Sequence, residues 1–251
     1  MNSSTHRFRK LGAALLLSVC TCGAAAAPRV SVRDSAAFTV IDVPAPPLGL
    51  VETAVRLTPM SSTQASTGTY RHAGAEYCVV IAGSVTRWED GQTRDVAAGA
   101  AFASPAGGTS ASSATQPAVF ICAALTPQDA GSGCGANATP APPVTSIFHN
   151  LFTLDAVPAT PFTLVEQLVD LPPGSSTVPF AYGARAYLTV ANGSVTLKRG
   201  GAMSHYQLGS PFAVERGQPI RLMNQTNRLA SVTVVLLLPE TVRFTEPPNA
   251  Y

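Results

Sequence analysis

The sequence predicts an all-β chain built as two tandem, jelly-roll-like β-barrels. Three observations predict it. Short apolar segments recur at close intervals and end on glycine, as in Glu76-Tyr77-Cys78-Val79-Val80-Ile81 before Gly83. A long block of the chain is repeated at constant spacing. No window sustains helical periodicity of its apolar residues. The 21 prolines and 20 glycines suit many strands joined by turns and argue against a helical bundle.

Taken from the start, Arg7, Arg9 and Lys10 precede an apolar run from Leu11 to Cys20, and Ala24-Ala25-Ala26 supplies small residues. This is the pattern of a bacterial-type secretory signal, expected over residues 1–26 with cleavage after Ala26. The run is far shorter than the roughly 20 residues that cross a bilayer, so no membrane span is expected. The protein is then periplasmic or secreted. The whole chain carries a formal charge of +2; the leader holds three bases and no acid, which leaves the mature part at −1. Without a basic run there is no electrostatic reason to bind nucleic acid, and that class is excluded.

Residues 27–48 read as an N-terminal arm in which Phe38-Thr39-Val40-Ile41 suggests an added strand. The first barrel is expected over 49–126 and the second over 147–251. Val51-Glu52-Thr53-Ala54-Val55-Arg56-Leu57 is echoed by Val165-Glu166-Gln167-Leu168-Val169-Asp170-Leu171, and both copies continue through Ser-Ser-Thr. Gly83-Ser84-Val85-Thr86 recurs as Gly193-Ser194-Val195-Thr196. Gly91, Gly99, Phe102-Ala103 and Gly107 recur as Gly201, Gly209, Phe212-Ala213 and Gly217 with no gap. That is an internal duplication. Between the copies, 127–146 is rich in Ala, Gly, Ser and Pro and reads as a linker.

Within the copies, Tyr187-Leu188-Thr189-Val190-Ala191 runs into Asn192-Gly193, a strong hairpin signal. Val119-Phe120-Ile121-Cys122 and Val232 to Leu238 read as closing strands, and His149 to Leu154 suggests a turn of helix. Cys78, Cys122 and Cys134 remain after cleavage, enough for one disulfide and one spare thiol in an oxidising compartment. Proximity in sequence favours Cys122–Cys134, with the other pairings open.

These residues resemble the cupin superfamily, in a two-barrel (bicupin) arrangement. The first cupin motif runs from a glycine through two spaced histidines to a glutamate and a glycine; Gly68, His72, Glu76 and Gly83 match it. Gly99, Pro105 and Gly107 match the second motif. The resemblance implies three histidines and the glutamate converging on a divalent metal. Here Tyr70 and Ser110 stand at two of the histidine positions, so His72 and Glu76 alone are left as ligands for Mn, Fe, Zn or Cu in barrel 1. In the second copy the same places hold Phe180, Tyr182, Ala186 and Ile220, and no metal is expected there.

Two readings of the pair stay open. His72, Glu76 and Tyr70 are the candidate catalytic residues of a metal-dependent cupin enzyme, dioxygenase-like or ureidoglycine aminohydrolase-like. Alternatively they are the polar remnant of a degenerate site in a small-molecule-binding or accessory protein, the favoured reading. Strand alternation places His72, Glu76 and Cys78 on one face, so Tyr70, Cys78, Ser110 and Phe102 are the expected pocket lining. In barrel 2, Tyr182, Ala186, Leu188, Val190, Phe212 and Ile220 mark an apolar interior, either a ligand pocket or a packed core. Arg185 and Arg221 flank it as candidate anion contacts, and His149 and His205 are expected at the surface. A structural role as a homodimer is a third reading.

Overall fold

A computed structural model describes residues 29–44, 48–60, 64–128 and 144–241. The expected leader over 1–26, most of the expected linker and Cys134 lie outside them. The N-terminal half contributes β1 (Ser31–Val40), β2 (Leu48–Leu57), β3 (Ala65–Ser66), β4 (Tyr70–Arg71), β5 (Ala75–Ala82), β6 (Ser84–Glu89), β7 (Gln92–Ala97), β8 (Ala101–Ser104), β9 (Thr109–Ala114) and β10 (Ala118–Pro127). The C-terminal half contributes β11 (Val144–Thr153), β12 (Phe162–Leu171), β13 (Ala186–Asn192), β14 (Ser194–Arg199), β15 (Ala202–Gln207), β16 (Pro211–Val214), β17 (Ile220–Met223) and β18 (Ala230–Pro239). No helix occurs among the described residues, and therefore none long and apolar enough to cross a membrane.

Each barrel packs a five-stranded sheet against a second sheet, of five strands in barrel 1 and three in barrel 2. In barrel 1 the order β11-β2-β10-β5-β8 faces a sheet of β9, β6 and β7 with the short β3 and β4. In barrel 2, β1-β12-β18-β13-β16 faces β15-β14-β17. The burial patterns follow from this. β9 alternates between half-buried and buried residues, as a strand covered on one face should. β2 and β12 are almost continuously buried, because one face lines a barrel and the other meets the second barrel.

The outermost strands are exchanged. β1 precedes the first copy but pairs antiparallel with β12 of the second, placing Phe38 opposite Leu164. β11 precedes the second copy but pairs with β2 of the first, placing Phe152 opposite Leu50. Leu50 and Leu164 are equivalent in the repeat, so Phe38 and Phe152 are equivalent too. The duplication thus extends into the arm: Phe38-Thr39-Val40 matches Phe152-Thr153-Leu154. Residues 149–153, where the sequence suggested a helical turn, belong to strand β11; the ladder against β2 supplies the backbone partners that a lone turn lacks.

The seam between the barrels is apolar. Val40, Leu50, Tyr77, Leu125, Phe152, Leu164, Tyr187 and Leu237 form one buried cluster drawn from both halves. Phe38 meets Tyr77 at 5.0 Å between ring centroids, and its counterpart Phe152 meets Tyr187 at 5.3 Å. Gly83 and Gly193 show why the repeated Gly-Ser-Val-Thr begins with glycine. Both have positive φ (71° and 68°). A Cβ on Gly83 would lie 2.3 Å from the Pro117 carbonyl oxygen, and one on Gly193 2.9 Å from that of Leu229.

Candidate functional site

Inside barrel 1, the inward residues of five strands or their flanks converge on a polar cluster in an otherwise apolar interior. Tyr70 comes from β4, His72 from the residue just past it, Glu76 from β5, Arg87 from β6, Ser104 from β8, and Ser110 and Ser112 from β9. Arg87, Ser110 and Ser112 are fully buried, and Glu76, Ser104 and His72 nearly so.

The Arg87 guanidinium organises the group. Its Nη2 donates to Ser104 Oγ at 2.7 Å, and its Nη1 donates to Ser112 Oγ at 3.0 Å. Nη2 lies 3.7 Å from Glu76 Oε2 and 3.3 Å from His72 Nε2. The Phe102 ring lies beneath the guanidinium, 4.8 Å from its centroid, a cation–π contact in a dry setting. The Tyr70 hydroxyl donates to Glu76 Oε2 at 3.0 Å. His72 stands with Nδ1 3.0 Å from the same carboxylate oxygen and Nε2 2.7 Å from Ser110 Oγ. Glu76 therefore answers a guanidinium, an imidazole and a phenol at once, the condition under which a carboxylate tolerates burial.

The structure brings together Tyr70, His72, Glu76, Ser110 and Phe102, all singled out from sequence. Cys78 lines the same interior but is not a free thiol. It faces Cys122 directly across the β5–β10 ladder and is bonded to it, with 4.1 Å between the two Cα atoms. The expectation of Cys122–Cys134 is corrected accordingly. Strand register, which sequence proximity ignores, sets two cysteines 44 residues apart opposite each other.

Sequence reading missed Arg87 and the serines 104 and 112. A signal existed in the repeat. Every member of the cluster has its counterpart 110 residues on, and there the interior is apolar: Phe180, Tyr182, Ala186, Leu197, Val214, Ile220 and Leu222 replace Tyr70, His72, Glu76, Arg87, Ser104, Ser110 and Ser112. An arginine at a position whose partner copy holds a barrel-filling leucine is an inward arginine. In barrel 2 the replacements pack into one core cluster, as small barrels are commonly filled. Burial pushes the Tyr182 hydroxyl above the usual phenol range, and it has no hydrogen-bond partner among the described residues. Arg185 is engaged with Asp155 at 2.6 Å and Glu215 at 3.3 Å, and Arg221 with Ser176 and the Thr177 carbonyl. His205 is exposed, and His149 Nδ1 meets Thr53 Oγ1 at 2.8 Å.

The residues at the two surviving motif positions do not fit a divalent ion by themselves. One nitrogen and one carboxylate are a small donor set, and a guanidinium, charged throughout the ordinary pH range, already lies within 4 Å of both. A second cation there would meet uncompensated repulsion at low dielectric.

Outside the barrel, a cleft of about 550 Å³ lies between the arm and barrel 1, walled by Ile41, Val43, Pro44, Ala75, Tyr77 and Ala103, with Thr39 and Asp42 among its polar residues. At barrel 2 the matching cleft, about 340 Å³, carries Arg185 and Arg216 where barrel 1 has Ala75 and Ala106.

No family model matches the sequence, and no curated protein matches it. Solved structures do match by fold. A Bacillus subtilis oxalate decarboxylase described for its Mn(II) centres aligns at TM-score 0.50 and 13% identity, over 87% of this chain and 76% of that one. AerE from Microcystis aeruginosa aligns at TM-score 0.49 and 12% identity, over 75% and 88% of the two chains. A cupin 2 conserved barrel domain protein from Leptotrichia buccalis aligns at 0.38 and 11%, over 82% and 90%. With two tandem two-sheet barrels, turn glycines repeated between them and the oxalate decarboxylase alignment at TM-score 0.50, the chain has a cupin-type fold in a two-barrel arrangement.

Proposed function

We propose that this protein is an exported two-barrel cupin that binds a small molecule, and that in its disulfide-bonded form it does not work through a metal held by His72 and Glu76. The observation that carries this reading is the buried Arg87, whose guanidinium lies within 4 Å of both residues while they contact each other. The interior is closed: His72, Glu76 and Arg87 are at most 3% exposed. The ligand is accordingly assigned to the cleft beside the arm, whose volume suits a small molecule. Its wall is mainly aliphatic and aromatic, and Asp42 disfavours an anion, so the class is a neutral or cationic, largely apolar compound with a hydrogen-bonding group. The leader pattern over residues 1–26 supports export.

The test is elemental analysis of the oxidised protein purified from the periplasm, beside His72→Ala. A thermal-shift screen of small apolar compounds is run on the wild type and on Ala103→Trp, which fills the cleft. Absence of stoichiometric metal, with a ligand-induced shift lost in Ala103→Trp, is expected. Near-stoichiometric Mn, Fe, Zn or Cu that disappears in His72→Ala would sink the reading and restore the metal enzyme.

A further inference from the structure

We propose that opening the Cys78–Cys122 disulfide converts the interior of barrel 1 into a divalent-metal site formed by Cys78, Cys122 and Glu76. One carboxylate oxygen of Glu76 and the two sulfurs all lie within 4.8 Å of one another, and all three residues are buried. The sulfurs are bonded to each other in the oxidised chain; once that bond opens they can part and share one ion with the carboxylate oxygen, since zinc takes thiolate at about 2.3 Å and carboxylate at about 2.0–2.2 Å. Three protein ligands leave the fourth tetrahedral position for water.

Charge balance singles out this donor set. His72 and Glu76 alone are a poor site, because Arg87 already compensates the carboxylate. Two thiolates and the Glu76 carboxylate give three negative charges, which one divalent ion and the Arg87 guanidinium balance. The residue that excludes a metal from the oxidised barrel is therefore the counter-charge that the reduced one needs. In the disulfide form neither sulfur is a thiolate, so the ligand set is incomplete. The site is gated by redox state.

The chemistry is closed as follows. A dithiol reductant gives two electrons to the Cys78–Cys122 bond and leaves as its own disulfide, with its two thiol protons passing to the new cysteine thiols. Binding of the ion then releases those two protons to solvent. Thiolate-rich sites select zinc-type ions over magnesium or calcium.

The experiment uses cobalt(II) as a spectroscopic stand-in for zinc. The full mature chain is prepared oxidised, and also reduced with a dithiol and desalted without oxygen, its strand content checked by far-ultraviolet circular dichroism. The reduced protein is expected to take up one cobalt per chain with a thiolate-to-cobalt charge-transfer band and the visible bands of a tetrahedral ion. The oxidised protein is expected to show neither. Cys78→Ser and Cys122→Ser, each reduced alike, should lose the charge-transfer intensity, Glu76→Gln should weaken binding at least tenfold, and Cys134→Ser should change nothing. Three results each overturn the proposal: a disulfide that resists the dithiol while the protein stays folded, a reduced folded protein that takes up no cobalt, or a band that persists in Cys78→Ser. The small-molecule reading is tested on the oxidised protein, so the two can fail separately.

Discussion

Glu52 and Glu166 hold the same position in the two copies, and both carboxyls are buried in the seam between the barrels, but only Glu52 faces a hydroxyl. Thr189 donates to Glu52 Oε2 at 2.6 Å. The position matching Thr189 in barrel 1 is Val79, which with Ile81 and Ile121 lies around Glu166. Neither Glu166 oxygen has a hydrogen-bond partner among the described residues. Burial pushes Glu52 up to about 7, against the hydrogen bonds of Thr189 and Thr233. Glu166 is raised well above the usual carboxylate range, by burial first and then by the charges of Glu52 and Glu76.

This sets the pH dependence. A carboxyl raised in the folded state keeps its proton there while the unfolded chain loses it, so the contribution of Glu52 to stability falls as pH climbs from about 4.5 to about 7, and Glu166 adds a fall of the same sign. Glu52→Gln should flatten the fall and raise stability at pH 8 by about 3 kcal/mol. Urea denaturation at pH 5 and pH 8 reads it; an unchanged pH slope in the variant would refute the assignment.

Glu166→Leu should stabilise the protein at neutral pH, since the carboxyl has no hydrogen-bond partner among the described residues to leave stranded and feels the charges of Glu52 and Glu76. The unfolded chain ionises this carboxyl at neutral pH while burial holds its proton in the folded state, so removing it removes that cost. A higher melting temperature at pH 7.5, with the gain shrinking towards pH 4.5, is the expected result.

Arg87→Met should cost about 3–5 kcal/mol, because it leaves the Glu76 carboxylate buried without its cation. Adding Glu76→Gln to that variant should return part of the loss. A double variant weaker than Arg87→Met by the full Glu76→Gln penalty, measured by denaturant titration, would show that the two do not interact.

Strand exchange can be tested on neighbouring residues. Phe152 is buried in the seam while Leu151, next along β11, is 52% exposed. Phe152→Ala should cost about 3–5 kcal/mol, and Leu151→Ala less than about 1 kcal/mol. Equal losses would mean that β11 does not lie on β2 with this face inward.

Removing the covalent link by Cys78→Ala with Cys122→Ala should lower stability by about 4 kcal/mol, the loop-closure value for a 44-residue separation. Cys134→Ala should leave the oxidised protein's unfolding midpoint where it is. A midpoint lowered by Cys134→Ala instead would contradict the Cys78–Cys122 pairing.

Much of this was legible in the residues. Repeated turn glycines and alternating short strands identify a duplicated barrel, because only a few turn geometries admit positive φ at such regular intervals. His72, Glu76, Tyr70 and Ser110 are readable as a cluster because strand alternation and motif spacing are local properties. Arg87 was not read, since an arginine between Thr86 and Trp88 has the look of a solvated strand residue unless its counterpart Leu197 is consulted. The buried glutamates were equally visible as acids inside apolar strands, yet their burial depends on a second barrel covering the outer face.

Residue order alone is enough for the all-β class, the duplication and the inward motif residues Tyr70, His72, Glu76 and Ser110, because these follow from periodicity and side-chain chemistry along one strand. Three things come only from the tertiary structure: that Cys78 meets Cys122, that β1 and β11 change places between barrels, and that the Arg87 guanidinium comes within 4 Å of His72 and Glu76. Each depends on register between strands far apart in the chain. A one-residue slip would point every one of these side chains to the opposite face, and the pairing energies that prevent the slip belong to the assembled sheets.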